Sequence, residues 1–254
     1  MFAFAIPIAR YTLVEAMRNR LMWLLLAGLA AAVVAAGFLQ QVAITEAARV
    51  QASVIAAAMR LFAVFLIAAF VVTAVVREMN DKVLEVLLAK PMPRASWLLG
   101  KGIGFTAVAA VIAVIVALPL WFFGTPSGVA AWTLSLFLEL TIVAAAALFC
   151  VLTLNQVVTA LAAVFGFYLL ARTVAAAQII AGAAPATTWS DRLTGGFVDG
   201  IAALLPAIDR MTQTVWVLDG PSGAAFLTSV VVPALVYVAL LGAAAAFDLY
   251  RQNF

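Results

Sequence analysis

From Leu21 to Leu39 the chain contains no charged residue, and comparable uncharged stretches recur along its whole length. A run of that kind is about 28 Å long as an α-helix, close to the thickness of a bilayer's hydrocarbon core. Backbone amides inside a bilayer have no water to bond, so such runs must close their hydrogen bonds within helices. Only 10% of the residues are charged, against about 25% in a soluble domain. Lipid is therefore the main solvent. At 254 residues the chain has room for about six spans in a single transmembrane domain.

These spans are expected at residues 21–39, 54–76, 102–123, 131–152, 157–181 and 224–247, an all-α polytopic membrane protein. Phe2, Ile6, Leu13 and Met17 fall on one helical face of the first segment, and Tyr11, Glu15, Arg18 and Asn19 on another. That pattern reads as an amphipathic interfacial helix ahead of the first span. A signal peptide is disfavoured by the long segment before the apolar run. Pro119 and Pro233 lie inside spans, where neighbouring helices can accommodate a kink. Residues 182–219 are long for a simple turn, and Ile201 to Pro206 reads as a re-entrant or interfacial helix packed over the mouth of the bundle.

Lys and Arg cluster in the amino-terminal segment, in the stretch from Arg77 to Lys101 and in the tail; the opposite side carries Arg49, Arg192 and Arg210. The positive-inside rule then puts both termini in the cytoplasm, as an even number of spans requires. With the basic residues accounted for by topology, no nucleic-acid partner is expected. The absence of histidine removes imidazole-based nucleophile chemistry and the usual imidazole metal sites. No catalytic or metal site is expected, and the lone Cys150 sits in an apolar run.

The stretch between spans two and three is the most charged part of the chain. Val83, Leu84, Leu87 and Leu88 form one helical face, while Glu78, Asp81, Lys82 and Glu85 crowd the other. Pro91 and Pro93 end the helix because neither has an amide hydrogen. Read on physics alone, this is either an amphipathic loop lying at the lipid headgroups or a docking element for a second protein.

The string Arg77-Glu78, Leu84-Glu85, Leu87-Leu88, Lys90-Pro91, Arg94 and Gly100-Lys101 resembles the loop between spans two and three of type-2 ATP-binding cassette exporter permeases. Lys82-Val83 stands where that family usually has Gly-Thr. The resemblance implies a cytosolic coupling helix, with Arg77, Glu78, Asp81, Lys82, Glu85, Leu87, Leu88, Lys90, Pro91, Arg94 and Lys101 as the ATPase-coupling residues. It also implies a permease in the bacterial cytoplasmic (inner) membrane that pairs with a second copy, docks cytosolic ABC ATPase subunits and exports or extracts a substrate. Membrane lipids and an extracytoplasmic accessory protein are further partners that such systems use. ATP and Mg would be bound by the ATPase, with no cofactor in this chain. Independently, the one Gly-Lys pair, Gly100-Lys101, has Ala95 at the first glycine position of a phosphate-binding loop and Gly102 where Ser or Thr is needed. The chain is thus expected to be a transport subunit rather than an enzyme. The alternatives are a stand-alone secondary transporter or a membrane assembly factor with no ATPase partner.

Three charges fall within spans. Glu139 and Arg172 lie on either side of the tight link at residues 153–156. At about 1.5 Å per residue their depths match to within roughly 3 Å, so an intramembrane pair is reachable. Such a pair could lock the hairpin, contact substrate along a path, or face an outer vestibule. The third, Arg60, is drawn into the outer leaflet by the shortness of the uncharged part of span two. It is expected either to snorkel to the interface or to contact substrate or a lipid headgroup. The scarcity of polar side chains in the spans favours an amphipathic or lipid-like cargo.

Overall fold

The computed structural model describes residues 2–42, 47–81, 93–122, 124–183, 189–213, 216–219 and 225–251; among these there is no strand. In chain order the helices are α1 (Phe2–Arg18), α2 (Leu21–Val42), α3 (Ala47–Asn80), α4 (Arg94–Ala117), α5 (Pro126–Leu154), α6 (Val157–Ala183), α7 (Trp189–Leu204), α8 (Ile208–Met211), α9 (Trp216–Asp219) and α10 (Ala225–Arg251). Helices α3, α4, α5, α6 and α10 are each long and apolar enough to cross a membrane. Helices α1 and α2 are bent by 54° at their junction, and counting the bent pair as one span brings the crossings to six.

Several helices outrun the expected spans. Helix α3 is a single rod of 34 residues, about 51 Å long and well beyond the bilayer core. It carries Arg77 and Glu78 as its own last turns, so the charged stretch does not start a new helix there. Lys82, Glu85, Leu87, Leu88, Lys90 and Pro91 lie outside the described residues. Helix α4 begins at Arg94, before the expected start at 102, and tightens into a 3-10 turn at Leu118–Phe122, where Pro119 removes an amide donor.

Helices α3, α4 and α5 form the centre and α6 and α10 the flanks, the span of α10 being only 17% buried. The centre follows from helical stripes. On α5, Trp132, Leu136, Leu140, Val143, Ala147 and Val151 are fully buried at intervals of three or four. On α3 the matching stripe is Ala56, Arg60, Ala63, Ile67, Val71 and Val75, and an arginine occupies one of its positions. In lipid, such contacts gain from close packing rather than from release of water.

The α5–α6 link is as tight as the sequence suggests. Asn155 adopts a left-handed conformation (φ 53°) and its N–H bonds to the Val151 carbonyl, ending α5 two residues before α6 begins. At the other end of α5, Thr125 caps the helix by accepting the Gly128 N–H at 3.2 Å, with Pro126 in the first turn.

Helix α1 packs against α4 through small residues. Ala5, Thr12 and Ala16 are buried while Ile6 and Met17 stay exposed. Ile6 and Met17 of the apolar face read from the sequence are thus free to meet lipid, Leu13 packs against the bundle, and a second face of small side chains seats the helix on α4. Gly100 and Gly104 make the approach possible. A Cβ on Gly100 would sit 2.8 Å from Ile8 Cβ and 2.9 Å from the Ala5 carbonyl oxygen, and one on Gly104 would sit 2.7 Å from Thr12 Cβ.

Among the described residues, the segment between α6 and α10 holds three short helices. Ile201 belongs to the end of α7, and α8 and α9 follow Pro206. Ile208, Met211, Thr212 and Val217 are buried. The Val217 carbonyl accepts the Thr125 N–H at 3.0 Å, which ties α9 to the start of α5.

Candidate functional site

Arg60 does not snorkel. Its side chain is fully buried, and its position in the core stripe of α3 points it at α5. Nη1 donates to Glu139 Oε2 at 2.6 Å and Nη2 to Ser135 Oγ at 3.2 Å. The guanidinium lies over the Trp132 ring, 4.9 Å from its centroid, an arrangement that adds a cation–π attraction in a desolvated setting. Snorkelling is the solution for an arginine on a lipid-facing surface; here a carboxylate, a hydroxyl and an indole face are nearer than water.

Glu139 is in turn shared. Its Oε1 accepts the Tyr168 hydroxyl at 2.9 Å, and Arg172 Nη1 lies 3.6 Å from the same oxygen. Arg172 Nη1 also donates to Tyr168 Oη at 3.3 Å and to Thr212 Oγ1 at 3.4 Å, while the Thr212 hydroxyl donates to the Ile208 carbonyl at 2.6 Å. Glu139 and Arg172 are therefore neighbours, as the hairpin suggests. Yet the short, hydrogen-bonded partner of Glu139 is Arg60 from another helix. The result is one polar chain across α3, α5, α6 and the segment after α8. Tyr168, Ser135, Trp132 and Thr212 were not singled out in the sequence. The available signal was spacing: Ser135 and Tyr168 each sit one turn before a charged residue on the same helix.

At the other end of α3 a second set of charges braces three helices. Glu15 of α1 pairs with Arg77 of α3, and Glu78 of α3 pairs with Lys101 of α4. Glu78 and Lys101 are both buried, so two residues expected on a docking face are turned inward against each other. Arg77 and Asp81 are exposed. Arg94 donates to the Leu249 carbonyl at 3.2 Å and ties the start of α4 to the last turns of α10. The brace encloses the two roots of the 82–92 segment.

Among the described residues no group of acidic, Cys or His side chains could hold a metal ion. An apolar cleft of about 590 Å³ lies between α4, α5 and α10, with Leu98, Phe105, Leu148 and Gly242 on its walls and no charged residue among those lining it.

A bundle of apolar spans around an internal charge network, with ion pairs at the roots of one charged loop, defines an all-α polytopic membrane protein. The chain belongs to the ABC-2 family of transporter proteins, whose family model matches residues 6–188. The match runs from α1 to the end of α6 and includes every residue of the internal network except Thr212. Among curated proteins, none matches the chain. Family membership makes it a membrane permease component of an ABC transporter.

Proposed function

We propose that this permease exports or extracts an amphipathic or lipid-like substrate by coupling to separate cytosolic ATPase subunits through residues 82–92 and the exposed Asp81 beside them. Two copies would form the transport unit in a bacterial inner membrane, with both termini in the cytoplasm. The observation that carries the reading is the continuity of α3. One unbroken helix joins the braced root of the charged loop to Arg60 in the internal network, about 25 Å apart along its axis. A push on the loop would reach α1 and α4 through the Glu15–Arg77 and Glu78–Lys101 pairs and move α3 as a rod. Movement of α3 against α5 would strain or exchange the Arg60–Glu139 contact. Two-state exchange of a buried ion pair is a physical means of switching between conformations. The apolar cleft between α4, α5 and α10 is compatible with a hydrocarbon chain.

The test is reconstitution with and without an ATPase subunit. In liposomes the permease alone should bind no ATP, and added ATPase should show hydrolysis that depends on the permease. Saturable ATP binding by the isolated permease, or hydrolysis unaffected by its presence, would remove the basis of the reading.

A further inference from the structure

The internal network does not balance its own charge. Two guanidinium groups, Arg60 and Arg172, share one carboxylate, Glu139. The sharing is unequal. Arg60 holds one Glu139 oxygen at 2.6 Å, and Tyr168 occupies the other at 2.9 Å. Arg172 reaches that second oxygen only at 3.6 Å. All of its contacts, to Glu139, Tyr168 and Thr212, are made by the single nitrogen Nη1. Among the described residues, Nη2 and Nε have no acceptor. Asp209, the acidic residue on neighbouring α8, makes no ion pair with Arg172. The side chain is 28% exposed, whereas Arg60 is sealed.

A guanidinium fixed at one nitrogen, with its two others free on one edge, presents the fork that fits the two oxygens of a carboxylate or phosphate. It sits on a span, where an uncompensated charge is costly and a counter-anion correspondingly favourable. Glu139 carries a single negative charge and already holds Arg60 at 2.6 Å, so it neutralises Arg172 only in part. Tyr168 and Thr212 hold Nη1, and the side chain as a whole is part-exposed, so the remaining edge is the part of the group left to meet a ligand. We propose that Arg172 is an oxyanion-binding site, taking the acidic group of a phosphate-bearing ligand against its free edge while Tyr168, Thr212 and Glu139 hold the guanidinium in place. The phosphate could belong to a lipid headgroup or to a soluble molecule; the chemistry at Arg172 is the same. This holds whether or not an ATPase drives the protein.

The full chain, purified in neutral detergent at constant ionic strength, is titrated with dihexanoyl phosphatidic acid, inorganic phosphate and, as a zwitterionic control, dihexanoyl phosphatidylcholine. Thermal unfolding is the readout. The wild type should show a saturable rise in Tm of about 3 °C or more with an acidic probe and little with the control. A rise with phosphatidic acid alone identifies a lipid headgroup as the ligand, and a rise with both acidic probes shows that a free oxyanion suffices. Arg172→Gln should abolish the rise. Arg172→Lys, which keeps the charge and loses the fork, should need roughly tenfold more probe; it decides the matter should the Gln variant not fold. Arg251→Gln, an exposed cation at the end of α10, should retain the full response. An unchanged response in both Arg172 variants, or no difference between acidic and zwitterionic probes in the wild type, would overturn the proposal.

Discussion

Arg60 on α3 and Glu139 on α5 meet at 2.6 Å with both side chains sealed from solvent, and Arg172 stands behind them at 3.6 Å from the same carboxylate. The ranking of these contacts fixes what each substitution should do. Arg60→Gln and Glu139→Gln should each destabilise the protein by about 3–5 kcal/mol, because the first takes the short partner from a buried carboxylate and the second strands a buried guanidinium. The double neutral variant should recover much of the loss, with a coupling of about 1–3 kcal/mol in a double-mutant cycle. Arg172→Gln should cost markedly less, since Arg172 is partly exposed and Glu139 keeps its stronger partner. Thermal unfolding of the four proteins measures this directly; equal costs for the two arginines would contradict the ranking.

Tyr168 joins the two halves of the network. Tyr168→Phe removes the hydroxyl that donates to Glu139 and accepts from Arg172, while the ring remains to fill its space. A loss of about 1.5–3 kcal/mol is expected for a hydrogen bond to a charged group. Thr212→Val should cost less, because the Arg172 contact it removes is long at 3.4 Å. A Tyr168→Phe protein as stable as the wild type would show that the hydroxyl is dispensable to Glu139.

The α1–α4 contact separates three glycines that lie close together in sequence. Gly104→Val should loosen α1, since even a Cβ there meets Thr12 at 2.7 Å, whereas Gly102→Ala should be neutral or slightly stabilising, because nothing lies within 4 Å of it. Thermal unfolding of the two variants would report the change. Equal unfolding temperatures in both variants would mean that α1 is not seated on α4 by this approach.

Glu78 and Lys101 predict a distinction between bracing and docking. Glu78→Lys should break the brace and reduce permease-dependent ATP hydrolysis while the ATPase still co-purifies. The swap Glu78→Lys with Lys101→Glu should restore hydrolysis by re-forming the pair in reverse. Loss of co-purification in the single variant that the swap fails to restore would place Glu78 on the docking surface after all.

The spans were legible because each uncharged run leaves the backbone one way to satisfy its hydrogen bonds, and the α5–α6 hairpin because Asn155 falls in a link too short for anything but a tight turn. The snorkelling expected of Arg60 failed for an instructive reason. Counting uncharged residues in span two set its depth, in the outer leaflet, but not its face, and its spacing from Ala56, Ala63, Ile67 and Val71 already set it on the buried side of the helix. The Glu78–Lys101 pair was hidden by the loop between its members, and helical-wheel logic cannot see a contact that closes across a turn. The seating of α1 on Gly100 and Gly104 was equally invisible. It depends on a shape match between helices far apart in the chain, and small residues leave no amphipathic trace.

The 82–92 segment is the proposed place where a separate ATPase takes hold. The direct measurement is co-purification of the partner ATPase with the wild type and with a Leu87→Glu, Leu88→Glu variant, alongside thermal unfolding of both. The account predicts that the ATPase is retained by the wild type and lost from the variant, while the unfolding temperature, governed by the Arg60–Glu139 core, stays the same. An ATPase that remains bound to an equally stable variant would contradict it.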